Sequence, residues 1–554
     1  MPPTLTINDQ TTAAHPGLSL FDHAESLGID VPTSCRKQGK CRECMLEIVE
    51  GLSALTPSTD PERHLKGNFR LACQTYVRPD QIAASIRCHT MRRGAMRIER
   101  HALHLPVSQH LDPAVTRDGD RILLDGVAID RSSGPIHGLA MDLGTTTVVL
   151  RLLDLESGAL LADTSFENPQ RFAGSEVMSR IAYDSDHPGR LLLRTLAGYL
   201  THAIEKFPVD PRSIYEMVVV GNSTMRDLFF RQSVHSIGQS PYRSITEIDL
   251  AEGRRTTTAL TQSGLRSLLP IHPRARVYGA PIISGHVGAD AAAAMLAVDL
   301  AHEDRLVAIM DIGTNTELIL GNKDRILAAS CPAGPAFEGG AIACGMPALD
   351  GAIEELRIDD DGAFHTRTIG DVAPAGICGS GLIDALSELL RTDRMNGLGR
   401  FEDGPHRIVL HSGPTPADDI YVLESDVNEL AQAKGANVAG LQTVFSNYGI
   451  GFDSVDLFYL AGGFGRHLNV AAAQRIGLIP TIDTAKVVQA GNTAIEGATI
   501  ALLSRAKRAE LESLVRRVEH CRLETHPQFF DFFVEGCQFK PLQSTSTEPL
   551  SCRP

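Results

Sequence analysis

The sequence predicts a multidomain chain of the α/β and α+β classes, in which a small mixed sheet with one helix precedes a duplicated α/β unit. Three observations predict it. The chain has 554 residues and 43% hydrophobic side chains, whereas a single core rarely grows beyond about 250 to 300 residues. Three cysteines crowd into the N-terminal stretch SCRKQGKCRECMLEI. The pattern strand, D-[LI]-G-T-[TN]-T, strand, reverse turn, strand begins at Asp142 and again at Asp311, and self-similarity at domain scale marks a duplication.

Residues 3 to 10 alternate as a strand does, and Leu18, Phe21, Ala24 and Leu27 then recur at helical spacing up to a stop at Gly28. The cysteine loop follows, and CMLEIVEG returns to alternation. The expected domains are therefore 1–90 for this small sheet, 91–135 for a linker or reduced middle module with one candidate strand at RILLDG, 136–300 for the first α/β lobe, and 301–554 for the second lobe with a C-terminal extension. Within the first lobe, GSEVMSRIAYDS and RLLLRTLAGYLTHAIEKF read as helices, and IYEMVVVGN as an apolar strand opening into a helix.

A formal charge of −15 argues against whole-molecule attraction to nucleic acid or an anionic membrane. The start MPPTLTINDQTTAAHPG lacks a basic end followed by an apolar core. No apolar run approaches the roughly 18 residues of a spanning helix, and eleven cysteines are sparse for a secreted disulfide scaffold. The expectation is a cytoplasmic protein with no nucleic-acid or membrane partner.

Four thiols assemble as Cys35-x5-Cys41-x2-Cys44-x28-Cys73. Three cysteines in a tight loop with Gly39, closed by a distant fourth, suit a 2Fe–2S cluster. Tetrahedral zinc would use the same sulfurs, although zinc knuckles usually present two Cys-x2-Cys hooks and only one exists here. Unbound thiols are the third reading. Arg36 and Lys37 could tune such a cluster, face a redox partner or simply be solvated, while Cys88, Cys521, Cys537 and Cys552 read as free thiols.

Neither glycine turn is a P-loop or a dinucleotide fingerprint. A strand ending in aspartate before Gly-Thr can still turn backbone N–H groups and hydroxyls onto phosphate oxygens, with the carboxylate reaching Mg²⁺ through water. The apolar strand of VDLFYLAGGFG delivers Gly462 and Gly463 where bare backbone can lie against a purine and ribose.

On these motifs, residues 1–90 resemble the β-grasp 2Fe–2S ferredoxin domain, with gaps nearer the adrenodoxin-like class. Residues from 137 to about 540 resemble the ATPase fold of actin, sugar kinases and heat-shock chaperones, in which two ribonuclease-H-like lobes close over Mg-ATP. DLGTTT and DIGTNT match the two phosphate motifs, VVVGNSTM and QAGNTAIEGA the connecting motifs, and LAGGFG the adenosine motif. The resemblance implies catalytic carboxylates at Asp142 and Asp311, phosphate loops at Gly144, Thr145, Thr146 and at Gly313, Thr314, Asn315, an adenine site at Gly462 and Gly463, and hinge positions at Gly221, Asn222, Gly491 and Asn492. Cys35, Cys41, Cys44 and Cys73 become the cluster ligands.

Nearly the whole chain is similar to the reductive activators of corrinoid proteins, on NPQRFAGSEVMSRI, ASCPAGPAFEGGAI, GICGSGLID and GNTAIEGA. In longer members a folded middle module separates ferredoxin and ATPase, and here it would be reduced or missing. The resemblance implies ATP-dependent reduction of Co(II) to Co(I) on a corrinoid-binding methyltransferase component, with 2Fe–2S, ATP and Mg²⁺ as cofactors, an upstream low-potential electron donor and a homodimer. Plant-type clusters sit near about −400 mV, and each 100 mV of deficit costs about 2.3 kcal/mol per electron, so a nucleotide-driven change of state could cover a gap. Ser330 and Cys331 are possible corrinoid contacts, with tight lobe packing as the alternative. Two other readings stay open: an ATP-gated redox-sensing chaperone or scaffold, and a small-molecule kinase carrying a redox domain.

Overall fold

The computed structural model describes residues 4–8, 10–80, 85–91, 111–187, 189–402, 406–416, 418–463 and 468–543. The N-terminal sheet contains β1 (Thr4–Ile7), β2 (Gln10–Ala13), β3 (Met45–Glu50), β4 (Phe69–Leu71) and β5 (Ser85–Thr90), ordered β2-β1-β5-β3-β4. β1 and β5 are parallel and the other neighbours antiparallel. Helix Leu20–Ser26 lies where the 3.6-residue period placed it, with Ser19 and Asp22 forming a reciprocal capping box that satisfies its first N–H groups. Leu20, Phe21 and Ala24 pack with Leu5, Ile7, Leu46 and Ile48 of the sheet in one core, which is the β-grasp arrangement.

Within the stretch 91–135, β6 (Val115–Asp118), β7 (Arg121–Leu124) and β8 (Val127–Arg131) form a three-stranded antiparallel sheet. The basic segment 92–110 lies outside the described residues.

The first lobe is built on β9 (His137–Leu143), β10 (Thr147–Asp154), β11 (Leu160–Glu167), β12 (Ile214–Val220), β13 (Leu260–Ser263) and β14 (Arg276–Gly279), ordered β11-β10-β9-β12-β14-β13. The antiparallel triplet β9 to β11 continues into the parallel neighbours β12 and β14. β12 is buried at every position, as an apolar strand covered on both faces must be. Helix Leu191–Glu205 buries Leu192, Leu196, Tyr199 and Leu200 among other residues, and truncating one such leucine to alanine costs about 2–5 kcal/mol.

The second lobe repeats this order. Its strands are β15 (Val307–Asp311), β16 (Asn315–Gly321), β17 (Ile326–Pro332), then β18 (Ala352–Ile358), β19 (Phe364–Thr368), β20 (Gly376–Ile377), β21 (Arg407–His411) and β22 (Ile420–Leu423) in two inserted sheets, then β23 (Leu457–Ala461), β24 (Val487–Gly491) and β25 (Val518–His520). The main sheet runs β24-β23-β15-β16-β17-β25. Omitting the edge strands β13 and β25, both lobes show three antiparallel strands followed by two parallel ones, the ribonuclease-H-like order. The N-terminal domain and residues 111–279 belong to one compact unit, and residues 280–501 with the chain from Ala506 onward belong to another. No described helix is long and apolar enough to cross a membrane.

Within the first unit, His64 is buried. Burial, reinforced by the Arg42 cation, lowers its pKa from 6.5 to about 4. The folded protein therefore holds His64 neutral while the unfolded chain protonates it earlier, so its stability contribution is complete above pH 6.5 and lost progressively as pH falls to about 4. The melting temperature should fall less steeply across that window in His64→Gln than in the parent; parallel curves would remove His64 from the acid response.

Candidate metal centre and nucleotide loops

The cysteine loop runs from helix Leu20–Ser26 to β3 and is bent by four left-handed residues, Arg36 (φ 52°), Lys37 (φ 65°), Gly39 (φ 70°) and Arg42 (φ 65°). A Cβ on Gly39 would approach Gln74 Cδ to 3.0 Å and Pro61 Cβ to 3.2 Å, so the loop closes against its neighbours only with glycine there. The sulfurs fall into two hydrogen-bonded pairs, Cys35 with Cys41 and Cys44 with Cys73. Among the described residues no three cysteines bring their sulfurs within 4.8 Å of one another, whereas tetrahedral zinc would hold all four about 3.8 Å apart. Two pairs suit two irons.

Backbone N–H groups converge on these sulfurs, from Gln38, Lys40 and Cys41 onto Cys35, from Ser34 and Glu43 onto Cys41, and from Gly39 onto Cys73. Gln74 Nε2 adds a contact of 3.5 Å to Cys73 Sγ. The hydrogen bond with Cys44 lowers Cys73 to about 6 and pushes Cys44 up. Burial raises Cys41, while at Cys35 the N–H groups and Cys41 outweigh burial and lower the thiol. Lys37 points away from a free role: its Nζ lies 2.7 Å from Asp22 Oδ1 and 2.6 Å from Glu25 Oε2. Arg36 is exposed.

In the first lobe Asp142 sits near the end of β9, and Gly144 N–H donates to Thr147 O over 3.0 Å to close the turn. A Cβ on Gly144 would meet that oxygen at 2.6 Å. Asn222 Nδ2 donates to Thr145 Oγ1 at 2.7 Å, and Asn222 Oδ1 caps helix Ser223–Phe229 by accepting from Met225 N–H at 2.9 Å. Asn168 N–H reaches Thr146 O at 2.6 Å, its Nδ2 reaches Gly144 O at 2.8 Å, and Arg180 Nη2 reaches Thr145 O at 2.6 Å. Gly221, with φ 145°, lies where a Cβ would meet Leu143 O at 2.4 Å.

The second lobe repeats that contact. Gly462, with φ 102°, would place a Cβ 2.4 Å from Ile312 O and 3.0 Å from Asp311 Oδ1. Leu143 and Ile312 are equivalent residues of the two repeats, so Gly221 corresponds structurally to Gly462 rather than to Gly491. Gly462 N–H donates to Gly491 O at 3.0 Å, and Asn492 Oδ1 accepts from Ile495 N–H at 3.0 Å. Space beside Gly463 is open, and the final Phe464-Gly465 of the adenosine motif lies outside the described residues. Thr314 hydroxyl donates to Glu338, Gly334 N–H donates to Thr314 O at 2.9 Å, Gly313 packs near Asn315 O, and Asn315 opens β16 opposite Pro332. Gly221 and Asn222 thus lie beside the Asp142 loop of the first lobe, and Gly491 lies against Gly462 in the second.

The Cys331 sulfur is fully buried and faces Gly440, where a Cβ would come within 1.9 Å of it. The sulfur packs tightly on helix Glu424–Tyr448, and burial pushes its thiol up. Ser330 Oγ donates to Glu317 Oε1 at 3.3 Å. Cys378 likewise fills core, its Sγ 3.3 Å from Ile353 O, and Cys552 lies outside the described residues.

Other residues enter that no motif matching assigned. The Glu317 carboxyl is held well above the usual range by burial and by the charges of Asp290 and Asp311, so this group of carboxylates favours a cation. Asp384 lines a cleft with Arg357, His365, Asn469 and Gln489. One of its oxygens accepts Leu356 N–H at 3.2 Å, and burial raises its pKa to about 6 against the lowering effect of that N–H and of Asn469. Asn168 and Arg180 stood in a recognised motif without a role. The sequence signal was a carboxylate among apolar residues for Glu317 and Asp384, and membership of a recognised motif for Asn168 and Arg180.

Three family models match: the 2Fe-2S iron-sulfur cluster binding domain over residues 5–78, the RACo middle region over 137–303, and the C-terminal domain of RACo, the ASKHA domain, over 305–550. The chain is 33% identical over 447 residues to corrinoid activation enzyme RamQ of Eubacterium limosum, spanning 76% of this chain and 73% of that one. The chain belongs to the family of reductive activators of corrinoid proteins. A second relative of this activator is the [Co(II) methylated amine-specific corrinoid protein] reductase of Methanosarcina barkeri, 24% identical over 425 residues, with 72% of this chain and 76% of that one aligned. A solved structure described as a reductive activator for corrinoid, iron-sulfur protein superposes on 97% of this activator and 98% of its own chain, at 28% identity and a TM-score of 0.71. The match to the RACo middle region covers residues 137–303, which form the first lobe.

Cys41→Ser in the activator should remove the visible cluster absorbance and bound iron while nucleotide binding persists; retained iron would exclude Cys41 as a ligand. Gly462→Ala, forced against Ile312 O, should weaken nucleotide binding by about 5- to 150-fold, since overpacking a closed site typically costs about 1–3 kcal/mol, with an unchanged cluster spectrum. Equal affinity in a titration would place the nucleotide elsewhere.

Proposed function

We propose that this activator returns the Co(II) corrinoid of a methyltransferase component to Co(I) by one-electron transfer driven by ATP hydrolysis. The observation that carries the reading is the union, in one chain of this family, of a paired-cysteine loop lined by N–H donors with two Asp-[Leu/Ile]-Gly-Thr loops. A 2Fe–2S cluster held by Cys35, Cys41, Cys44 and Cys73 supplies single electrons. The N–H groups of Gln38, Lys40 and Cys41 stabilise added negative charge on the sulfurs and so favour the reduced state.

On the first loop, Gly144, Thr145 and Thr146 offer N–H and hydroxyl donors to phosphate, and Asn168 and Asn222 hold that turn in place. On the second, Gly313, Thr314 and Asn315 take the corresponding role. Asp142 and Asp311 are the catalytic carboxylates of this reading, and Asp290 beside Asp311, with Glu317 once it gives up its proton, would hold Mg²⁺. Gly462 and Gly463 leave bare backbone for the nucleoside, with Gly491 and Asn492 beside them. The asymmetry between a cluster near about −400 mV and a more reducing corrinoid couple is covered by a state that nucleotide binding favours, since a ligand shifts an equilibrium only through differential affinity.

An upstream low-potential donor, a homodimeric assembly and a cytoplasmic location complete the proposal. The cysteines described as free thiols suit a reducing compartment.

The decisive experiment is anaerobic: a Co(II) corrinoid protein is mixed with reduced activator, with and without Mg-ATP, and Co(I) absorbance is followed. ATP-dependent appearance of Co(I) is expected; its absence with every corrinoid partner tried, or phosphate transfer to an added small acceptor, rejects the reading. Asp311→Ala should slow ATP hydrolysis at least about tenfold while the cluster spectrum stays intact, and unchanged hydrolysis would remove Asp311 from the site.

A further inference from the structure

The motif 168–186 touches two parts of the first unit at once. Its opening residue, Asn168, is fully buried and binds the first nucleotide loop at Gly144 O and Thr146 O. Arg180, on helix Val177–Asp186, is also fully buried. Its guanidinium donates to Thr145 O at 2.6 Å and Gly174 O at 3.1 Å, with Met225 Sδ at 3.1 Å. Among the described residues no carboxylate pairs with it. A buried cation held only by carbonyls and a thioether lacks the counter-charge that buried ions require, and burial lowers its pKa to about 9.

The opposite contacts of the same segment grip the cluster-bearing domain. Tyr183, one turn beyond Arg180 and therefore its neighbour on the helix surface, donates its hydroxyl to His64 O at 2.7 Å. Phe172 O accepts Lys66 N–H at 3.3 Å, and the Phe172 ring meets His64 and Tyr183 edge-on at 5.7 and 5.4 Å. Gln170 Nε2 donates to Leu192 O at 3.2 Å on helix Leu191–Glu205. That helix holds Glu43, which lies between Cys41 and Cys44: Tyr199 hydroxyl donates to Glu43 O at 2.8 Å, and His202 Nε2 lies 3.2 Å from Glu43 Oε2. Glu43 N–H in turn points at the Cys41 sulfur.

We infer that residues 168–186 couple the first nucleotide loop to the cluster domain, with Arg180 and Tyr183 as the positioning residues at its two ends. The inference rests on the nucleotide reading given above. A triphosphate on the first loop supplies negative charge close to the loop that Arg180 already holds, so nucleotide binding and the seating of the cluster domain draw on the same hydrogen bonds. Linkage then requires reciprocity: if nucleotide shifts the cluster potential, the redox state of the cluster shifts nucleotide affinity by the same factor.

The test uses the full chain with its cluster and a non-hydrolysable Mg-ATP analogue. Its affinity is measured on the oxidised and the dithionite-reduced protein, and the cluster midpoint potential is measured with and without it. The two affinities should differ by about 2- to 10-fold, the range a single hydrogen bond supports, with a matching potential shift on the scale of about 59 mV per tenfold. Tyr183→Phe keeps the ring and loses only the hydroxyl; the ratio should fall toward one while both redox states still bind nucleotide and the nucleotide-free potential is unchanged. Tyr199→Phe, at the Glu43 contact, replaces it if that variant does not hold its cluster, with the same expectation. A ratio of one in the parent protein, or an undiminished ratio in the folded variant, overturns the coupling alone. Failure of the parent to bind nucleotide in either state overturns the nucleotide reading as well.

Discussion

Both halves of the duplicated fold depend on one steric constraint, the contact between a strand-end glycine and the carbonyl that follows the loop aspartate. Gly221 and Gly462 each lie where a Cβ would stand 2.4 Å from that oxygen, Leu143 O in one lobe and Ile312 O in the other. Their φ values of 145° and 102° suit glycine and few other residues. The close approach lets the Asp-[Leu/Ile]-Gly-Thr turn lie directly over the end of the neighbouring parallel strand. From it follow the positions of Asn222 beneath Thr145 and of Gly491 O against Gly462 N–H.

The cysteine loop solves a different problem with the same means. Ten residues must return on themselves tightly enough to turn several N–H groups toward sulfur, which demands left-handed backbone at Arg36, Lys37, Gly39 and Arg42. Three of those are not glycine, and the cost of placing L-residues there is about 1–2 kcal/mol each. Lys37 offsets part of it by pairing with Asp22 and Glu25 on helix Leu20–Ser26 and by lying 4.8 Å from the centre of the Phe21 ring. The pair Arg36-Lys37 therefore divides: Lys37 anchors the loop, and Arg36 stays in solvent.

Much of this architecture was legible from pattern. Alternation and helical periodicity located the N-terminal strand, helix Leu20–Ser26 and the apolar strand Ile214–Val220, because each buries one face or both and its composition records that burial. The repeat of Asp-[Leu/Ile]-Gly-Thr turns announced the duplication. Cys331 was not legible: a cysteine flanked by Ser330 and Pro332 reads equally as a reactive thiol and as core, and only its packing on Gly440 decides. Asn168, Arg180 and Glu43 were visible as polar residues within known motifs, yet their partners lie tens to more than a hundred positions away in the chain. No local pattern encodes such pairings.

By itself the sequence determined the elements, the duplicated order and the set of four thiols, since these follow from side-chain period, glycine turns and residue type. Tertiary structure decided how those parts serve one another. It sorted the four sulfurs into two pairs, set Gly221 equivalent to Gly462, turned Cys331 inward, and placed Arg180 and Tyr183 between the first loop and the cluster domain. The physical reason is the range of the forces involved: backbone preference acts over a few residues, whereas close packing, buried charge and hydrogen bonding are settled by whichever distant segments the folded chain brings into contact.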